Sequence, residues 1–196
     1  MAQEVWRQIA PLLAEDGIRE GDTVPIRDLQ HALDQAAERY NLALFSPVGP
    51  ARAAALTVIE RVVTAIHTGD TTRAAQLLDA VEPAPSDPAD ASVAGCTGTA
   101  TGLLEAWLGG HDPAAPPGLK KCVRLSSGHW TGEQAATDLL ALAGKARAHA
   151  SLRMVVARQG GLHVLYGSVL ALAATIGAWA DLTGTAAADV TRTALR

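Results

Sequence analysis

Gln159–Ala180 reads QGGLHVLYGSVLALAATIGAWA, an unbroken stretch without a formal charge between Arg158 and Asp181. Roughly 20 apolar residues suffice to cross a bilayer, and Lys145, Arg147, Arg153 and Arg158 on one flank would supply a positive-inside signal. The interior of the stretch argues for another place. It contains Gly160, Gly161, His163, Gly167, Ser168, Thr175 and Gly177, and much of the rest is alanine. A helix that is apolar on all sides also fits the centre of a soluble bundle, where its neighbours cover it. A core helix over about 161–182 is therefore expected, ahead of burial at a dimer interface and then of a membrane span. His163, inside this helix, is expected as a core histidine hydrogen-bonded to a neighbour.

The flanking sequence supports a helical fold. The chain has 196 residues, 48% of them hydrophobic but only 4% aromatic, with 40 alanines. That length makes one ordinary domain or two small ones, enough to bury a core without disulfides or metal. Thirteen arginines against three lysines point to a GC-rich bacterial genome rather than to a chemistry. No segment sustains the two-residue alternation of a half-buried strand. The fold class expected is all-α, a multi-helix bundle of about seven helices around the charge-free one.

Helix spacing is plainest from Ile26, through Leu29, Leu33, Ala36, Ala37 and Tyr40 to Leu44. Asp22 or Thr23 suits its cap, Pro25 its first turn and Asp28 its positive end. Before it, Pro11 should kink the segment of Val5, Ile9, Leu12 and Leu13. After it, Pro47 and Pro50 open a helix with the stripe Leu56, Ile59, Val62, Val63 and Ile66, which Gly69 stops. Asp70 then caps a shorter helix carrying Ala74, Leu77, Leu78 and Val81. The turn of this pair, AIHTGDTTRAAQLLDAV, resembles one helical hairpin of tetratricopeptide arrays. The likeness spans roughly 30 residues and does not recur along the chain, so a repeat array is not expected.

Glu82–Ala91, EPAPSDPADA, has three prolines, acids and no large apolar side chain, the composition of a linker. The expected organisation is an acidic helical half at 1–82, a linker at 83–91 and a second helical half at 92–196, the two halves packing as one unit. The second half opens on a helix over 92–108 with Gly95, Gly98 and Gly102. Gly costs about 1 kcal/mol against Ala in a helix interior, so three of them imply a second backbone close to this face, here attributed to a homodimer partner. Beyond the Pro/Gly-rich excursion at 109–128, Thr131 and Gln134 form a capping-box pattern for a long helix to about Gln159. Gly160 and Gly161 should break that helix, and Gly184 should separate the core helix from a last amphipathic one at 186–195.

Net charge is −4, which argues against nucleic acid as a partner. The charge is unevenly spread: −5 over 1–82, −4 over 83–118 and +5 over 119–196, so the second half could meet the first or receive an anion. Lys120, Lys121, Arg124, Ser126, Ser127, His129 and Trp130 lead straight into the capping-box pattern, and free amides at a helix start add to such cations in holding an anion. A thiol among those cations, Cys122, could have its pKa lowered. Against this stand surface cations and a tryptophan that merely packs. Cys96 and Cys122 make neither a disulfide framework nor a zinc cluster, and two buried thiols are expected. The six histidines, His31, His67, His111, His129, His149 and His163, lack the close pairing of a zinc site or the Glu-x-x-His pairs of a carboxylate-bridged metal site. No metal or cofactor is therefore expected.

No nucleophile elbow, Walker loop or dinucleotide fingerprint is present in the sequence. The start, MAQEVWRQIAPLLAED, shows no leader pattern, and a cytoplasmic location is expected. The function expected is that of a soluble interaction or regulatory module without catalytic residues, a homodimer with a protein partner. The alternative is a binder of, or an enzyme acting on, a small anionic metabolite at 120–130.

Overall fold

A computed structural model describes residues 10, 13–14, 17–19, 22, 25, 27–32, 43–125 and 131–195. The chain forms two compact units, 1–44 and 45–196. It is all-α, with no strand among the described residues.

In the first unit, residues 27–32 are helical as the apolar spacing predicts, and the Pro25 carbonyl accepts from the Asp28 and Leu29 amides at 2.9 and 3.0 Å. Asp22 does not cap this helix. Its carboxylate takes the Arg19 amide at 2.7 Å and closes the preceding turn instead. Leu13 and Ala32 are buried. Pro11 and residues 33–42 lie outside the described residues.

The second unit contains α1 (Gly49–His67), α2 (Thr71–Asp79), α3 (Val93–Leu108), α4 (Leu119–Cys122), α5 (Glu133–Ala143), α6 (Ala148–Gln159), α7 (Gly161–Thr183) and α8 (Ala187–Ala194). The α1–α2 hairpin follows the local signals closely. α1 ends in a Schellman turn, with the Asp70 amide on the Ala65 carbonyl, the Gly69 amide on that of Ile66, and Gly69 at φ +76°. Asp70 then accepts the Arg73 amide at 2.9 Å and starts α2. The two helices pack together.

Segment 83–91 lies within the second unit, and the boundary between units falls after Leu44. Its ends meet where the Val93 amide donates to the Glu82 carbonyl at 3.0 Å. Ser92 begins α3 by accepting the Gly95 amide.

α7 is the central helix. It packs against α1, α3, α4, α5, α6 and α8, and Leu165, Val169, Leu172 and Ile176 are fully buried. By length and composition it is a candidate membrane span, yet 72% of its apolar window is covered by the protein itself. Trp179 meets Trp107 of α3 edge to face, with ring centroids 5.4 Å apart. A smaller cluster of Phe45, Ala135, Leu139, Leu152, Val155 and Val164 seals the space between α5, α6 and the start of α7.

The capping box and the long helix at 131–159 are both corrected. Gly132, not Thr131, is the N-cap of α5, at φ +88°. A Cβ there would lie 2.5 Å from the Gly167 amide nitrogen and 2.6 Å from the His163 carbonyl oxygen. The chain enters α5 pressed against the backbone of α7, and this crossing overrides the threonine signal. The long helix then breaks between α5 and α6. Amides of Ala146 and Arg147 fold back onto the Ala143 and Leu142 carbonyls, with Ala146 at φ +51°. Side chains from other elements satisfy both broken ends. The Lys120 ammonium donates to the Gly144 carbonyl, and the Glu105 carboxylate accepts the His149 amide at 2.8 Å. With this break and the four-residue α4, the described residues of the second unit hold eight helices, more than the count expected for the whole chain.

The close backbone expected along α3 belongs to the same unit. A Cβ on Gly98 would stand 1.7 Å from the Phe45 carbonyl oxygen, whereas nothing lies within 4 Å of one on Gly102. Opposite outcomes follow in urea unfolding. Gly98→Ala should destabilise by about 1–3 kcal/mol through overpacking against a backbone atom. Gly102→Ala should stabilise by up to about 1 kcal/mol through helix propensity. Equal effects at the two positions would contradict this packing.

Candidate functional site

Of the segment expected to bind an anion, residues 126–130, and with them Ser126, Ser127, His129 and Trp130, lie outside the described residues. The three cations do not converge. Lys120 caps the carbonyl end of α5 at Gly144, as a cation at a helix C-terminus does. Arg124 Nη1 donates to the Lys121 and Val123 carbonyls, both at 2.8 Å. The Lys121 side chain is exposed, with no hydrogen bond or ion pair among the described residues. CVRL, the apolar run at 122–125, leaves α4 without continuing it, and Val123 and Leu125 pack on the core.

A cleft of about 710 Å³ lies just beyond that segment, between the start of α5 and the α6–α7 junction. Asp138 is its centre. The carboxylate accepts from Gln134 Nε2 at 3.1 Å, one turn earlier on α5, and from Gln159 Nε2 at 2.7 Å, and it is paired with Arg158. Gln134 therefore serves Asp138 rather than a capping box. Three donors from three positions occupy most of what one carboxylate can accept. The arrangement locks α5 to the end of α6 and leaves little lone-pair capacity for a substrate proton. The Gln134 and Asp138 spacing of four was visible in the sequence, whereas the approach of Arg158 and Gln159 depends on the break at 144–147.

His163 lines this cleft and is exposed, which corrects the expectation of a core histidine. It stands on the first turn of α7, and burial begins one residue later at Val164. The histidine that does reach inward is His67, at the end of α1. Its Nε2 lies 2.9 Å from the Ala173 carbonyl oxygen, so Nε2 carries the proton, and Nδ1 is buried without a partner. Among the described residues no group of three or more His, Cys, Asp or Glu side chains is placed to hold a metal ion.

The thiols differ from each other, against the expectation that both are buried. Cys96 is enclosed in the core beneath α3, and Cys122 is exposed at the end of α4; neither is in a disulfide. Burial pushes the Cys96 thiol up from 9.0 to about 12. Tyr166 is raised from 10.0 to about 12, first by burial and then by the hydrogen bond and charge of Asp79, which accepts its hydroxyl at 2.7 Å.

No protein-family model, curated protein or solved structure matches the chain.

Both raised groups are uncharged when folded and ionise more readily when unfolded. Their contribution to stability is thus complete below pH 9 and is lost as pH climbs toward 12. Unfolding midpoints should fall across that window, and Cys96→Ala should flatten the slope. A thiol reagent at neutral pH should titrate Cys122 at once and Cys96 only on unfolding. Rapid modification of both would place Cys96 at the surface.

Proposed function

We propose that the chain is a soluble, cytoplasmic helical module for interaction or regulation, without catalytic activity, and that it works as a homodimer. The observation that supports this reading is the use made of the carboxylates at segment junctions. Glu105 holds the start of α6, Asp79 holds Tyr166 of α7, Asp112 accepts the Trp107 indole at 3.2 Å, and Asp138 takes three donors. Each ties one stretch of chain to another. A general base must keep an accessible lone pair within reach of the proton it removes, and these groups are engaged in scaffolding.

A surface for a second copy is supported by large apolar side chains left outside. Met154 on α6 is 66% exposed, and Leu162 at the start of α7 is 43% exposed. Met is well suited to such a contact because its unbranched chain adapts to a partner. Gly98 of α3 is covered by Phe45 of the same chain, so the proposed dimer contact is placed on these side chains instead.

Sedimentation velocity should give a dimer, and Met154→Glu should yield a monomer whose far-ultraviolet spectrum stays helical. A wild-type monomer at the highest soluble concentration would remove self-association. Turnover of a small molecule that Asp138→Asn abolishes, with an unchanged unfolding midpoint, would overturn the non-catalytic reading.

A further inference from the structure

A second cleft, about 380 Å³, opens between segment 45–48, the start of α1, α3 and α6. Its size is at the lower end of small-molecule sites. α3 forms the floor through Gly98, Gly102 and Ala106, with Phe45, Pro47 and Leu103 as apolar walls. The space over Gly102 is open, which leaves an apolar slot between these walls.

The lining also carries polar and cationic groups. Arg52 is exposed, and its guanidinium makes no hydrogen bond or ion pair among the described residues. His149 Nε2 is 3.4 Å from both Ser46 Oγ and the Phe45 carbonyl oxygen, contacts too long to hold the ring firmly. Val48, on the same lip, is the N-cap of the 19-residue α1, yet it offers no cap, and no acid lies in the first turn. The amides of Gly49, Ala51 and Arg52, and the positive end of the helix dipole, are left without a counter-charge from the helix itself. Thr99, also lining the cleft, has an enclosed hydroxyl oxygen with no partner, whereas Thr97 donates to the Val93 carbonyl at 2.6 Å in the usual helical manner. Glu105, the acid nearby on α3, is turned to the His149 amide.

We propose that this cleft binds a small monocarboxylate with a short apolar tail, the carboxylate against Arg52 and the start of α1 and the tail over Gly102. One guanidinium beside an imidazole suits a single negative charge, and the apolar slot selects against fully polar acids. The site goes beyond the module reading and supplies such a module with an input.

Hexanoate, titrated into the full chain and followed by amide chemical shifts, should move residues 45–52, 98–106 and 149 saturably at millimolar concentration. Gly102→Leu, placed where a new Cβ meets open space, should retain the native spectrum and abolish those shifts. Arg52→Gln should weaken hexanoate at least about tenfold, a loss of roughly 1.4 kcal/mol, and leave binding of hexan-1-ol unchanged. The proposal is overturned by absence of saturable shifts, by shifts that survive Gly102→Leu, or by hexan-1-ol binding as tightly as hexanoate.

Discussion

A 23-residue helix with no charged side chain before Asp181 cannot face water along most of its length, and the second unit is organised by the covering of α7. Coverage by the surrounding helices demands close approach, because an alanine-rich chain has little side-chain volume with which to bridge gaps. The crossing of Gly132 over Gly167 meets that demand directly. A Cβ on Gly167 would lie 2.5 Å from Ala135 Cβ, and one on Gly132 would meet the α7 backbone. α5 can therefore lie directly on α7. The direction in which it leaves that crossing decides where its other end, and hence the break before α6, must fall.

The elements legible in the sequence are those whose ends are satisfied by their own residues. Asp70 caps α2, Ser92 caps α3, and Gly69, Gly160 and Gly184 adopt the positive φ that ends a helix. The break at 144–147 was illegible because its partners come from far along the chain: Lys120 for the Gly144 carbonyl and Glu105 for the His149 amide. Gly144 and Lys145 are weak stop signals in retrospect, and Ala146 at φ +51° is no signal at all. Thr131 fails as a cap for a different reason, since a local preference worth about 1 kcal/mol yields to the packing of two backbones.

The polar sites were less legible than the core. Lys120 reads as an anion ligand among neighbouring cations, yet one carbonyl on another helix takes it. An apolar window does not distinguish a first turn from a middle turn, so His163 was expected inside while His67 is the residue that bonds to α7. Glycine spacing in α3 did announce a close backbone, correctly at Gly98. At Gly102 the same signal marks vacant space, and only the path of segment 45–48 distinguishes the two.

The loop between α2 and α3 departs and returns at one place, with Glu82 and Val93 joined by a hydrogen bond. Since its ends already meet, lengthening it stretches nothing in the bundle, and the entropic penalty grows only logarithmically, at about 0.6 kcal/mol per doubling. The molecule thus has a port at which foreign sequence, even an inserted domain with adjacent termini, can be accommodated while the helices on either side keep their register.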